Sequence, residues 1–220
     1  MDLAQALVAY ALPAALITML PGPDTAMVLM TAVKAGRAAA ARAALGVGSG
    51  LLIWGAVAAL GLAAALRSSA VLYDAFRLIC AAYLIFLAVQ ALRSSRRPES
   101  DPKSESESGD RATGKLWRLP AFGWGYRRAL LTCALNPKLG VFFVVVLPQF
   151  VPAGAAVGPT SMALAALHAA EAVLWYLLLG GLAGAASHVL ARRRVRVWLD
   201  RVTAAVFLGF GVRLAVEASS

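Results

Sequence analysis

Two proline-centred motifs carry the chain's most unusual chemistry: Pro21-Gly22-Pro23-Asp24 and Asn136-Pro137-Lys138. Each interrupts an apolar run, and each puts an ionisable side chain directly after a proline. Proline deletes a helix hydrogen bond and clashes with the preceding turn, while glycine admits backbone angles closed to other residues. In an apolar medium, backbone groups freed this way persist only where they are buried in protein or line a cavity. An aspartate at one break and a lysine at the other therefore predict a polar centre built from both. A carboxylate and an ammonium can hold each other there, or hold the ammonium and carboxylate of a zwitterion.

Spacing puts the two groups at like depth. Asp24 lies ten residues before Lys34, and Lys138 lies ten residues after Arg128. At the helical rise, each is roughly 15 Å from a basic loop. The expectation is a buried Asp24–Lys138 ion pair, either a lock between two helices or a pair that opens for substrate. Ionisable groups in such surroundings are costly and usually functional. His168 and Glu171, three residues apart, share a helix face. They read as a proton relay or a cation ligand, against a plainer reading in which His168 sits at the outer interface. Gly46 and Gly50 form a GxxxG spacing for close helix packing, which would seat their run against the broken first one. Trp54, Trp175 and Tyr176 read as pocket-lining or as lipid-facing aromatics. Asp74 and Arg77 form an i,i+3 pair of structural character.

Long helices are needed to carry these residues. Of 220 residues, 60% are hydrophobic and 15% charged, with a mean hydropathy of +0.73. Soluble domains run near half apolar and a quarter charged, so the excess here must be buried in lipid. The fold class expected is an all-α membrane protein. Spans are predicted near 3–33, 38–66, 70–92, 128–151, 160–190 and 198–217. The first, second and fifth are too long to cross straight, so they must tilt, break or extend into water. An acid at Asp2 and no basic leader make the first run a span rather than a cleavable signal.

The net charge of +10 raises the question of nucleic acid, but its distribution answers it. The loops at 33–42, 93–128 and 191–201 hold 17 of the 21 Lys and Arg residues. Basic residues on alternating loops mark the cytoplasmic side, so both termini are expected on the non-cytoplasmic side, with the bilayer and no nucleic acid as partner. The two cysteines, Cys80 and Cys133, form no CxxC pair and no metal-ligand spacing, so neither a metal nor a cofactor is implied.

The halves resemble each other. TMLPGPDT can be laid on TCALNPKL, which aligns Thr18, Pro23 and Asp24 with Thr132, Pro137 and Lys138. The expected organisation is a three-helix repeat in 1–92, a flexible cytoplasmic linker in 93–127, and a second repeat in 128–220. The linker contains ESDPKSESESGDRATGK, which lacks the apolar surface to fold. An odd number of spans per half inverts the second half across the membrane. Secondary transporters share that arrangement and bind substrate near the broken helices of the repeat interface.

At these residues the sequence resembles the LysE/RhtB family of amino-acid exporters. The resemblance is carried by PGPDTAMVLMTAVKAGRAAAARAALGVGSGLLIW in the first half and LNPKLGVFFVVVLPQF in the second. It runs from the N-terminus through the sixth span, and the polar linker is its least typical part. It implies a bacterial inner-membrane carrier of two inverted three-span repeats that exports amino acids or derivatives on the proton motive force. The functional positions it carries over are Pro21, Gly22, Pro23, Asp24, Asn136, Pro137 and Lys138. Protons and a small amino acid would be its partners, and a homo-oligomer is left open. An efflux carrier for metal cations or other metabolites is the alternative within transport. HEXXH, GxSxG and paired aspartates in facing spans are absent from the sequence, so an enzyme is not expected.

Overall fold

A computed structural model describes residues 2–65, 125–183 and 193–219, with isolated positions 78, 82, 85, 86, 88, 89, 92 and 93. Most of the expected third span lies outside the described residues, including Asp74, Arg77 and Cys80. So does the linker, apart from its ends. Every element among the described residues is helical.

The first apolar run is two helices. Helix α1 (Leu3–Met19) opens with a capping box, in which Asp2 Oδ1 accepts from Gln5 N at 2.8 Å and Gln5 Oε1 accepts from Asp2 N at 3.0 Å. It ends where Leu20 turns extended ahead of Pro21. Helix α2 (Pro23–Ala65) restarts with proline in its first position, where the missing N–H costs nothing. Its course is broken at Gly36, with φ 79° and ψ 176°, a conformation open to glycine alone. Val28 and Ala40 would stand about 18 Å apart on a straight helix. Yet a Cβ placed on Gly180 would lie 3.9 Å from Val28 and 2.9 Å from Ala40. The chain therefore folds back at Gly36, and the arms 23–35 and 37–65 lie side by side.

The fourth expected span is bent by 55°. Helix α3 (Tyr126–Ala134) stops at Leu135, and Asn136 caps a short α4 (Pro137–Val141) by accepting from Lys138 N at 3.1 Å. A π-helical turn (Phe142–Val146) and a 3-10 turn (Leu147–Phe150) follow. Helix α5 (Val157–Gly181) ends at its paired glycines, and residues 184–190 of the expected fifth span lie outside the described residues. Helix α6 (Arg193–Ser219) absorbs most of the expected basic loop, because arginine is a good helix former and the charges ride on its first turns.

Small residues set the packing. The 37–65 arm is wedged between α3 and α5: Gly46 meets Tyr126 and Ala129, Gly50 meets Cys133, Gly48 meets Val173, and Gly55 meets Ala165. The sequence reading seated Gly46 and Gly50 against the first span. They face α3 instead, since the hairpin at Gly36 turns that side of the arm toward the fourth span. Large apolar side chains cover the outside. Val8, Leu12, Leu60 and Leu174 are 77%, 67%, 73% and 68% exposed. Such a surface is mismatched to water and matched to acyl chains. By length and composition, apolar stretches within Pro23–Gly61 and Val157–Gly181 suffice to cross a membrane, and the bent pair Tyr126–Ala134 with Pro137–Phe150, taken as one span, adds a third.

Candidate functional site

Each proline break frees a carbonyl four residues upstream, and in each case a side chain from elsewhere answers it. Pro137 cannot donate to the Cys133 carbonyl. That oxygen accepts instead from Asn136 N at 3.1 Å and from the Trp54 indole Nε1 at 3.1 Å. Pro21 likewise cannot donate to the Ile17 carbonyl, which accepts from Lys138 Nζ at 3.4 Å. The lysine after one break thus satisfies the backbone opened by the other.

The two breaks also match position for position. Pro23 and Pro137 each open a helix. Gly22 and Asn136 precede them, their carbonyls accepting from Ala26 N at 2.9 Å and Gly140 N at 3.1 Å. Asp24 and Lys138 come next. Asp24 is suited to its place, since a helix N-terminus favours a negative charge.

The side-chain hydrogen bond of Asp24 goes to Asn136 rather than directly to Lys138. Asp24 is buried at 4% exposure, and its Oδ2 accepts from Asn136 Nδ2 at 2.6 Å. Its Oδ1 has no hydrogen-bond partner. The physical reason lies in the caps: Asn136 spends its carbonyl on α4 and has its amide left to reach Asp24, while Lys138 Nζ is drawn to the freed Ile17 carbonyl. Both charges nevertheless line one small cavity with Gly22, Thr18, Thr25, His168 and Tyr176, and its volume is about 10 Å³. That is room for about one water.

His168 lies inside the protein and lines the same cavity as Asp24 and Lys138. It is completely buried, with Nδ1 3.3 Å from the Tyr10 hydroxyl and Nε2 3.0 Å from Thr18 Oγ1. Phe143 stacks on the ring at a 5.3 Å centroid distance, and Phe142 meets it edge-on at 5.4 Å. The π turn supplies both phenylalanines, and such turns are frequent at functional sites. Glu171 shares α5 but is not among the cavity's lining residues. It is half-buried, with Oε2 enclosed and unbonded. Pro21 lies in the break without lining the cavity, and Gly46 and Gly50 serve helix contact.

Sequence reading missed Tyr10, Thr18 and the carbonyl role of Trp54. A signal for the first two was present, because Ala6, Tyr10, Ala14 and Thr18 recur every fourth residue and are all buried. A stripe of small and polar residues on an apolar helix marks a helix–helix face. Trp54 could not have been found, since its partner is a backbone atom on another element. Among the described residues no group of three or more His, Cys, Asp or Glu side chains stands together.

The chain is a multi-pass helical membrane protein with a closed polar centre where its two broken helices meet. The chain belongs to the LysE type translocator family, whose model matches residues 15–218. It is 30% identical to the threonine efflux protein of Escherichia coli over 202 residues, covering 90% of this chain and 92% of that one. The threonine efflux protein of Salmonella typhi is 29% identical over 200 residues, with the same coverages. The uncharacterized membrane protein YrhP of Bacillus subtilis is 27% identical over 211 residues, covering 96% of this chain and 99% of that one. No solved structure matches.

Proposed function

We propose that this chain exports a small amino acid across the bacterial inner membrane by alternating access at the two breaks, driven by the proton motive force. The observation that carries the reading is the 2.6 Å bond between Asn136 and Asp24, which joins the two broken helices beside Lys138 at one cavity. An unbonded carboxylate oxygen is an acceptor for a substrate ammonium, and Lys138 is a donor for its carboxylate. Family membership and the threonine efflux relatives support the same solute class. The cavity is too small for an amino acid as it stands, so loading requires the breaks to part. Switching between two arrangements of packed helices is what alternating access demands.

The membrane arrangement proposed with it is six spans in two inverted three-helix repeats, 1–92 and 128–220, with the 93–127 linker in the cytoplasm and both termini outside. The distribution of Lys and Arg supports that orientation. Glu171 is the candidate for proton coupling, since it is an ionisable group on the helix that packs against α1.

Proteoliposomes loaded with a mixed amino-acid pool test the reading, with and without an imposed proton gradient. Gradient-dependent loss of one or a few amino acids, abolished by Asp24→Asn and Lys138→Met, is the expected result. Retention of the whole pool by wild-type protein under both conditions would overturn it.

A further inference from the structure

We infer that the Tyr10–His168–Thr18 chain fixes the Thr18 hydroxyl as a hydrogen-bond donor aimed at the substrate carboxylate, a contact that selects carboxylate-bearing ligands over the corresponding amines. The inference rests on the amino-acid exporter reading and adds to it a specificity-determining residue.

The starting point is the imidazole. A neutral histidine has one N–H and one lone-pair nitrogen, and here both ring nitrogens face hydroxyls of α1. Two tautomers are therefore available. In one, Nδ1–H donates to Tyr10 and Nε2 accepts from Thr18, which leaves the phenol hydrogen with nowhere to go. Tyr10 is fully buried and His168 is its one hydrogen-bond partner among the described residues. A donor sealed away without an acceptor is costly. In the other tautomer Tyr10 O–H donates to Nδ1, Nε2–H donates to Thr18 Oγ1, and the spare hydrogen passes to the Thr18 hydroxyl. That residue lines the cavity, where a ligand can take the hydrogen. The second tautomer moves the one unmet donor from a sealed position to the binding site.

The surroundings hold that choice in place. Phe143 stacks flat on the ring, with planes 2° apart, and Phe142 closes it from the edge at 76°. A ring clamped on its face and edge keeps its two nitrogens assigned to Tyr10 and Thr18.

What the donor meets follows from its neighbours. Thr18 is adjacent to Ile17, whose carbonyl holds Lys138 Nζ at 3.4 Å. Thr18 and Lys138 both line the cavity, one a neutral donor and one a charged donor. The acceptor, Asp24 Oδ1, is buried and unbonded in the same cavity. A carboxylate has two oxygens and can take one hydrogen bond from each of two donors lining one cavity. One oxygen takes the Lys138 ammonium and the other the Thr18 hydroxyl, while the substrate's own ammonium goes to Asp24.

The test uses proteoliposomes containing the full chain as wild type, Thr18→Val, Thr18→Ser and Tyr10→Phe. Efflux is measured for the amino acid that the mixed pool identifies, in competition with its decarboxylated amine. For threonine, the ligand named by the relatives, that amine is 1-amino-2-propanol. The expected result is that Thr18→Val raises the half-saturating amino-acid concentration about tenfold, the size of one hydrogen bond to a charged group. Maximal rate and inhibition by the amine should stay at wild-type values. Thr18→Ser should restore affinity, and Tyr10→Phe should stay close to wild type, because an Nδ1–H without the phenol oxygen would itself be a sealed donor and the ring keeps its Nε2–H. Equal weakening for acid and amine would reduce Thr18 to a packing residue, and wild-type behaviour of Thr18→Val would remove the contact; either overturns the inference while leaving export standing. A wild-type protein that moves no amino acid overturns the exporter reading, and the inference with it.

Discussion

Asn136 donates to Asp24 across 2.6 Å and, through its other side-chain atom, accepts from Lys138 N at 3.1 Å. One amide therefore does two jobs. It caps the helix that follows the second break and ties that helix to the first. The two jobs are separable by substitution. Asn136→Ser keeps a capping oxygen but is too short to reach Asp24, and Asn136→Ala loses both. In detergent, Asn136→Ala should lose about 0.5–2 kcal/mol more stability than Asn136→Ser, the usual worth of an N-cap. Efflux should fall at least about tenfold in both, because both lose the bond to a buried charge. Thermal melting beside efflux checks the split, and full efflux in Asn136→Ser would show the bond to be dispensable.

Trp54 is predicted to matter through its N–H rather than its ring. Its indole satisfies the Cys133 carbonyl that Pro137 leaves open. Trp54→Phe keeps an aromatic of similar shape and should cost about 0.5–1.5 kcal/mol, the worth of one hydrogen bond. In a Pro137→Ala background the backbone regains its own donor to Cys133, so the same substitution should cost less. A double-mutant cycle on melting in detergent measures the difference, and equal costs in the two backgrounds would separate Trp54 from the break.

Glycine contacts on the 37–65 arm carry a stability prediction with an internal control. A Cβ on Gly50 would lie 2.7 Å from Cys133 Sγ, and one on Gly46 would meet the Tyr126 backbone carbonyl. A Cβ on Gly61 meets nothing within 4 Å. Gly46→Ala should be the most damaging, since a backbone carbonyl cannot swing aside, at about 1–3 kcal/mol for overpacking. Gly50→Ala should follow, and Gly61→Ala should be neutral or gain up to about 1 kcal/mol from lost chain entropy. Melting of the three variants in one detergent orders them.

Much of this is legible in the sequence. Pro21 and Pro23 with Gly22 between them, and Pro137 after Asn136, announce breaks, whereas the lone Pro13 lies inside α1 without ending it. Gly36 lies in a basic loop between apolar runs and duly turns the chain. What sequence could not supply is which group answers a freed carbonyl. Asp24 and Lys138 stand at equivalent positions and invite pairing by charge, yet the neutral Asn136 takes Asp24 because capping geometry aims its amide there. His168 was harder still. One histidine in an apolar helix reads equally as a surface residue or a core one, and only the positions of Tyr10 and Thr18 on another helix decide it.

Those two hydroxyls yield the last prediction. His168→Leu removes the partner of both Tyr10 and Thr18 at once, and each hydroxyl is buried, with Thr18 at 5% exposure. A stranded buried polar group costs about 1–3 kcal/mol, so the single variant should melt well below wild type. Adding Tyr10→Phe removes one stranded group and should recover part of the loss, a positive coupling in the cycle. Efflux gives the second readout. If His168 only holds α1 against α5, transport should return as stability returns in the double variant. If the imidazole itself serves the transport cycle, efflux should stay lost while the melting temperature recovers, and that divergence would assign His168 a role beyond packing.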